Sequence, residues 1–277
     1  MTLDDIIVNA LKEDLGDGDH TSLSCIPIDK TGRAKLLVKE EGILAGMDVA
    51  RKVFNKVDAT IVFNQLMNDG DKITPGDIAF TVEGKVISLL SSERLALNFM
   101  QRMSGIATST NKMVKLLDGL NTKLLDTRKT TPNLRMLEKM AVKLGGGENH
   151  RFGLYDMIMI KDNHVDFAGG IVNAITNANN YLKEKNKDLK IEIEVRGFDE
   201  LNQVLNNGNV HRIMLDNFNT DDLRKAVELI AGRYETEASG GITIDTLRKY
   251  AETGVDYISV GALTHHIKSL DLSLKAF

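Results

Sequence analysis

A chain of 277 residues, 42% apolar and 27% charged, is long enough to bury a substantial core as one large domain or two modest ones. Its 35 Lys+Arg against 39 Asp+Glu leave a net charge of −4, and it has no tryptophan, which argues against a general nucleic-acid binder. The single cysteine, Cys25, excludes an intrachain disulfide and suits a reducing compartment; with no motif around it, it reads as buried or inert.

No apolar run approaches the ~20 residues of a membrane span. The first stretch, MTLDDIIVNALKEDL, is an acidic amphipathic helix over residues 2–14, not a signal peptide. These features predict a cytoplasmic protein with no membrane or nucleic-acid partner. The segment LGDGDHTS at 15–22 reads as a loop of turn formers. There His20 stands beside Asp17 and Asp19, and local Asp-to-backbone bonds account for them better than a metal site does.

From Gly32 to Leu90 short segments alternate. Residues 34–38, 60–63, 78–82 and 85–89 read as strands, and 47–57 as a helix, so this part is an α+β domain of mostly antiparallel strands. Ser91 or Ser92 is placed to cap a long helix that Ser104-Gly105 breaks before it resumes toward Leu117. Beyond it, strand-like runs at 123–126, 157–160, 191–195, 212–215, 234–238 and 257–260 alternate with helix-like runs at 133–144, 167–185, 198–206, 220–231 and 244–252. That rhythm implies right-handed βαβ units and a parallel sheet. Six strands, or seven with one hidden near Gly105–Thr108, suit a (β/α) barrel; an open doubly wound sheet is the alternative.

The chemistry gathers between Asp126 and His164, a cationic stretch in an acidic chain. Arg135, Lys139 and Lys143 have helical spacing and read as a solvated face. Arg128, Lys129, His150, Arg151 and Lys161 lie outside any helical period, and Arg128, Lys129 and Lys161 follow strand-like runs. Each of these six predicted strands carries a polar residue or glycine just at its carboxyl end: Arg128 and Lys129, Lys161, Glu194, Asp216, Ser239-Gly240-Gly241, and Gly261. Barrel enzymes build their sites from such positions. Several cations at one mouth imply a ligand with several negative charges. The glycines after the last two strands suit a phosphate, although turns alone also use glycine. Glu194 and Asp216 beside the bases suit Mg²⁺ or a developing positive charge. Glu192 shares the face of Glu194 but lies deeper, so it must be paired and reads as structural. His150 is balanced between a ligand donor and a structural histidine.

The motifs DTRKTTP, GGGENHR, GLYDMIMIKDNH, IEIEVR, IMLDNF, EASGGIT and ISVGALTH, with EDLGDGDHTS and SSERLALNFMQRMSGIAT before them, resemble the quinolinate phosphoribosyltransferase family over nearly the full length. The resemblance implies an N-terminal α/β sandwich, residues 1–106, joined by the C-terminal tail at 266–277, and an incomplete α/β barrel at 107–265. It implies transfer of phosphoribosyl from phosphoribosyl pyrophosphate to quinolinate with decarboxylation, for de novo NAD synthesis, and a need for Mg²⁺. By motif, Arg94, Arg128, Lys129, His150, Arg151 and Lys161 would surround quinolinate and nearby phosphate oxygens. Glu194 and Asp216 would face the ribose and the metal, and Ser239, Gly240, Gly241 and Gly261 would hold the 5-phosphate. Arg94 would enter a partner subunit's site, so a homodimer or larger assembly is implied.

Two positions depart from the family pattern. Asn133 stands where glycine is usual, near a helix start that accepts it. Arg196 replaces a commonly acidic or amide residue and adds a cation near the metal position. Two rival readings are a paralogous binding protein of molybdenum transport and a phosphoribosyltransferase for nicotinate that does not decarboxylate.

Overall fold

The computed structural model describes residues 2–277. In chain order, α1 (Leu3–Leu15) starts in a capping box between Thr2 and Asp5, and α2 (His20–Cys25) starts where the Asp19 carboxylate accepts the Ser22 N–H at 3.0 Å. The segment expected to be a loop thus ends in a short capped helix. Cys25, expected to be buried or inert, is not buried: it is exposed at the end of that helix. Then come β1 (Thr31–Val38), β2 (Gly42–Ile43), α3 (Met47–Val57), β3 (Val62–Gln65), β4 (Lys72–Ile73), β5 (Ile78–Lys85) and α4 (Val86–Lys115). After them run β6 (Lys123–Leu125), α5 (Arg135–Leu144), β7 (Ile158–Ile160), α6 (Asp162–Ala168), α7 (Ile171–Glu184), β8 (Ile191–Val195) and α8 (Phe198–Asn207). The chain closes with β9 (Arg212–Asp216), α9 (Thr220–Ile230), β10 (Glu235–Ser239), α10 (Leu247–Ala251), β11 (Tyr257–Ser259), α11 (Ala262–His265) and β12 (Leu272–Ala276).

The chain divides into two compact units: Met1–Asn111 with Thr130–Gly146 and Leu263–Phe277, and Lys112–Lys129 with Gly147–Ala262. In the first, a four-stranded antiparallel sheet has the order β12-β1-β5-β3. The tail strand pairs with β1 in register Leu36↔Leu274. Phe54 of α3 packs on Phe63 and Phe80 of the sheet, with ring centroids 6.0 and 5.9 Å away.

Residues 85–89 were expected to form a strand, but α4 begins at Val86. A short run such as VISLL satisfies either pattern, and periodicity does not separate them. Ser91 and Ser92 therefore lie inside the helix, and Ser92 Oγ donates back to the Ser88 carbonyl at 2.7 Å. Gly105 does not break the helix, and no strand hides at 105–108. A Cβ at Gly105 would meet the Lys268 carbonyl oxygen at 2.3 Å, so the glycine serves close approach of the tail. The run predicted as one helix at 167–185 is two, α6 and α7, separated by Gly169 and Gly170 at φ +82° and +120°.

In the second unit six parallel strands have the order β6-β11-β10-β9-β8-β7. β6 pairs with β11 rather than with its sequence neighbour β7, so the barrel stays open between β6 and β7. Glu148 lies along the open edge of β6, its N–H donating to the Leu124 carbonyl at 2.8 Å and its carbonyl accepting the Asp126 N–H at 3.1 Å. Among the described residues, no helix is long and apolar enough to cross a membrane.

Candidate active site

The strand register stacks the inner face of the second unit in layers. Glu192, Arg212 and Glu235 are mutual neighbours at the bottom. Glu194, Met214 and Glu237 come next, and Asp216 and Ser239 lie above them. Parallel barrels usually fill these layers with bulky apolar side chains. Here the lower layers carry charge, and the alternate residues Ile191, Ile193, Val195, Ile213 and Leu215 are buried on the other face.

At the top, Lys161 follows β7, and its Nζ donates to Glu194 Oε2 at 2.7 Å. Asp216 ends β9, and its Oδ2 accepts from the Asn217 side chain at 2.5 Å. One oxygen of each carboxylate is engaged, and both are hard donors of the kind that hold Mg²⁺. Asn217 turns at φ +57°, and its N–H donates to the Ser239 carbonyl at 2.9 Å. Gly240 then sits at φ +99°, where a Cβ would strike the Asn217 side chain at 2.2 Å. The turn itself requires that glycine. Gly241, at φ +62°, has nothing within 4 Å of its Cβ position, which leaves its backbone open to an approaching anion. Gly261 follows β11 by two residues and is half-buried.

Arg128 and Lys129 are exposed just beyond β6, and the Lys129 N–H donates to Thr127 Oγ1 at 3.0 Å. Arg151 is half-buried, and its guanidinium donates to the Met157 carbonyl at 3.3 Å. Burial and then the nearby Arg128 charge hold the Arg151 guanidinium below its ordinary range. Asp156 closes the loop between them and β7, accepting the Phe152 and Gly153 N–H groups at 2.6 and 2.8 Å.

His150 is buried. Its N–H donates to Asp126 Oδ1 at 2.9 Å, and its Nε2 lies 3.0 Å from Glu192 and 3.3 Å from Glu237. Arg212 joins them, 3.0 Å from Glu237 and 4.0 Å from Glu192. Neither carboxylate meets Nε2–H in line, so these are ion-pair contacts rather than aligned hydrogen bonds. Burial would depress the imidazole, but the two carboxylates reverse this and raise it to about 9. The Arg151 N–H donates to Nδ1 at 2.6 Å. Burial, and then Glu237, push the Glu192 carboxyl up, while His150 and Arg212 keep Glu237 low despite its burial.

The second unit thus brings together ten of the eleven positions expected at a barrel mouth with His150, which lies one layer down. Arg94, exposed on α4, belongs to the first unit. Three partners were not singled out in the sequence: Asp126, Arg212 and Glu237. The alternation GluThrGlu at 235–237 and IEIEV at 191–195, on the strands either side of Arg212, was the available clue, since buried charged residues on an inner face must pair. Lys139, expected on a solvated face, is 2% exposed. Spacing identifies a helix face but does not tell which face is covered.

An open parallel barrel with cations above carboxylates defines an α/β-barrel enzyme for anionic substrates. The family descriptions for the N-terminal and C-terminal domains of quinolinate phosphoribosyl transferase match residues 19–104 and 106–275. The chain belongs to the quinolinate phosphoribosyl transferase family. It is 46% identical to quinolinate phosphoribosyltransferase [decarboxylating] 1b of Nicotiana tabacum, over 98% of this chain and 81% of that one. It is 45% identical to the chloroplastic nicotinate-nucleotide pyrophosphorylase [carboxylating] of Arabidopsis thaliana, over 98% and 81%. The crystal structure of NadC from Streptococcus pyogenes superposes at a TM-score of 0.93 and 41% identity, over 99% of this chain and 97% of that one. These names disfavour the molybdenum-transport reading.

Proposed function

We propose that the chain transfers phosphoribosyl from phosphoribosyl pyrophosphate to quinolinate with loss of carbon dioxide, giving nicotinate mononucleotide and pyrophosphate for NAD biosynthesis. It is a pentosyltransferase, and the observation that carries the site is the juxtaposition of Arg128 and Arg151, where burial and then the Arg128 charge hold the Arg151 guanidinium below its ordinary range. Like charges held near each other are stabilised by an anion received between them. Quinolinate, with two adjacent carboxylates, is such an anion; nicotinate offers one.

In this reading Arg128, Lys129, Arg151 and Lys161 hold the dicarboxylate and nearby phosphate oxygens, and Arg94 reaches the site of a partner subunit in a homodimer or larger assembly. Ser239, Gly240, Gly241 and Gly261 receive the 5-phosphate through backbone N–H groups. Glu194 and Asp216 stabilise positive charge developing on the ribose. The two carboxylates also fit Mg²⁺, which would supply charge neutralisation on the departing pyrophosphate. Lys161 neutralises Glu194 in the free protein and becomes available to substrate when the carboxylate turns to another cation.

The ring nitrogen attacks the anomeric carbon, and the bond to pyrophosphate breaks with its electron pair leaving on oxygen. The product is a pyridinium. Its fixed charge stabilises the carbanion left when the neighbouring carboxylate departs as carbon dioxide, and that carbon then takes a proton from water. Decarboxylation needs no general base, and glycosyl transfer comes first. A cytoplasmic location is part of the same reading.

The test supplies purified protein with quinolinate, phosphoribosyl pyrophosphate and Mg²⁺ and measures carbon dioxide. Release is expected. A second arm replaces the pyrophosphate ester by pyrophosphate and ribose 5-phosphate as separate pieces. Carbon dioxide in that arm would overturn the order, and conversion of nicotinate in place of quinolinate would favour the non-decarboxylating rival.

A further inference from the structure

The turn that leaves β9 is anchored on both sides. Phe218 is buried and meets Phe198, the first residue of α8, edge-on with ring centroids 5.7 Å apart. Asn219 caps α9, its Oδ1 accepting the Asp221 and Asp222 N–H groups at 3.1 and 2.9 Å. Between these anchors and Asp216 stands Asn217, exposed and at φ +57°. Its N–H donates to the Ser239 carbonyl at 2.9 Å, which ties it to the end of β10. Its side chain lies against Gly240, where a Cβ would come within 2.2 Å of Oδ1 and 2.6 Å of Cγ. Its amide nitrogen donates to Asp216 Oδ2 at 2.5 Å. Turned over, the amide would set its oxygen against the carboxylate oxygen, acceptor against acceptor, so the nitrogen belongs on the Asp216 side.

We propose that Asn217 is a positioning residue that fixes the Asp216 carboxylate relative to the Ser239-Gly240 turn, and so holds the group facing the ribose in place beside the group receiving the 5-phosphate. The inference rests on those two proposed roles. A carboxylate turns easily about its Cβ–Cγ bond. One donor to Oδ2 sets its plane and thereby the direction of Oδ1. The donor is itself fixed, because the bond to Ser239 and the contact with Gly240 hold Asn217 from the neighbouring strand. The ends of β9 and β10 thus share one spacer. Without it Asp216 keeps its charge and loses its aim, and misplacement by about 1 Å costs up to a hundred-fold.

The competing explanation is backbone conformation alone, since Asn133, Asn186 and Asn209 also take positive φ. Glycine would meet that need without steric cost. What sets Asn217 apart is that its amide is spent on a carboxylate of the site.

The test uses the full chain and two variants. Asn217→Asp keeps the contour against Gly240 and replaces the donor by an acceptor; Asn217→Gly keeps the backbone conformation and removes the amide. Each should lower kcat roughly ten- to hundred-fold and weaken ribose 5-phosphate in calorimetry without added metal, with the quinolinate Kd unchanged. Wild-type kcat and wild-type ribose 5-phosphate affinity in Asn217→Gly would show that asparagine serves the backbone alone, and would overturn the proposal. Loss of quinolinate affinity in both variants would mark a general structural role and overturn it as well. In an Asp216→Ala background neither substitution should lower kcat further. A further loss there would mean that Asn217 touches the ligand or acts apart from Asp216, which also overturns it. If Asp216→Ala by itself leaves kcat unchanged, the reading of Asp216 fails, an outcome separate from additivity.

Discussion

Charge density at single positions explains the mouth of the barrel. Arg128 is exposed, and its charge adds to burial in lowering Arg151. Removing one charge-assisted contact costs about 1.5–3 kcal/mol. Arg128→Ala should therefore weaken quinolinate by tens- to hundreds-fold, measured by calorimetry, and leave the thermal midpoint unchanged. Asn133 occupies φ +66°, a conformation that glycine and asparagine enter and alanine resists. The position is not the helix cap, which is Leu134, so asparagine is here for its backbone conformation rather than for capping. Asn133→Ala should cost about 1 kcal/mol in urea unfolding, and Asn133→Gly much less. Arg196, the other departure, pairs with Asp166 at 3.0 Å and Glu200 at 2.6 Å. Its charge is answered on the exposed side of the α8 start and adds nothing to the cationic set.

At the scale of elements, one buried ion pair gathers separate segments of the first unit. Glu138 of α5 is 1% exposed and accepts from Arg102 of α4 at 2.5 Å and from the Thr131 N–H at 3.1 Å. Arg102 also donates to Thr131 Oγ1 at 2.6 Å and to the Thr264 carbonyl at 3.3 Å. One ion pair thereby ties α4, α5, α11 and the residue two places beyond Lys129. Glu138→Ala would leave a largely buried guanidinium without its carboxylate, and a loss of about 3 kcal/mol is expected in denaturant unfolding. The tail is held by a different device. Gln101 accepts the Leu270 N–H through its carbonyl at 3.0 Å and donates from its side chain to the Leu272 carbonyl at 3.0 Å. Gly105, one turn on, admits the Lys268 carbonyl. Gly105→Ala should cost about 1–3 kcal/mol and raise the rate of proteolysis within 266–277.

For the whole molecule, the proposed assembly is open to a mixing experiment. Arg94 lies on α4 of the first unit, and Lys129 closes the first segment of the second. If each site takes Arg94 from a partner and Lys129 from its own chain, Arg94→Ala and Lys129→Ala proteins are each inactive alone. Mixed and allowed to exchange subunits, they should regain part of the wild-type rate, because some hybrid sites have both residues. No recovery after exchange is verified would place Arg94 in its own chain's site.

The sequence by itself determined the parallel half of the fold. Short apolar runs alternating with amphipathic helices admit few topologies, and polar residues at strand ends face the mouth whichever barrel forms. The runs at 191–195 and 212–215 became β8 and β9 with at most one residue of change. The family resemblance then assigned roles that spacing alone left open between phosphate and turn, or metal and ion pair. Tertiary structure decided what has no local signature. VISLL joined α4 because its neighbours in space, not its own period, settled helix against strand. Lys139 was buried because the covered face of α5 is a property of the packing. Glu237, Arg212, Asp126 and His150 came together because residues separated by up to 111 positions, 126 to 237, meet only when parallel strands fix their register. Charge pairing over such separations is a long-range term, and no window of sequence contains it.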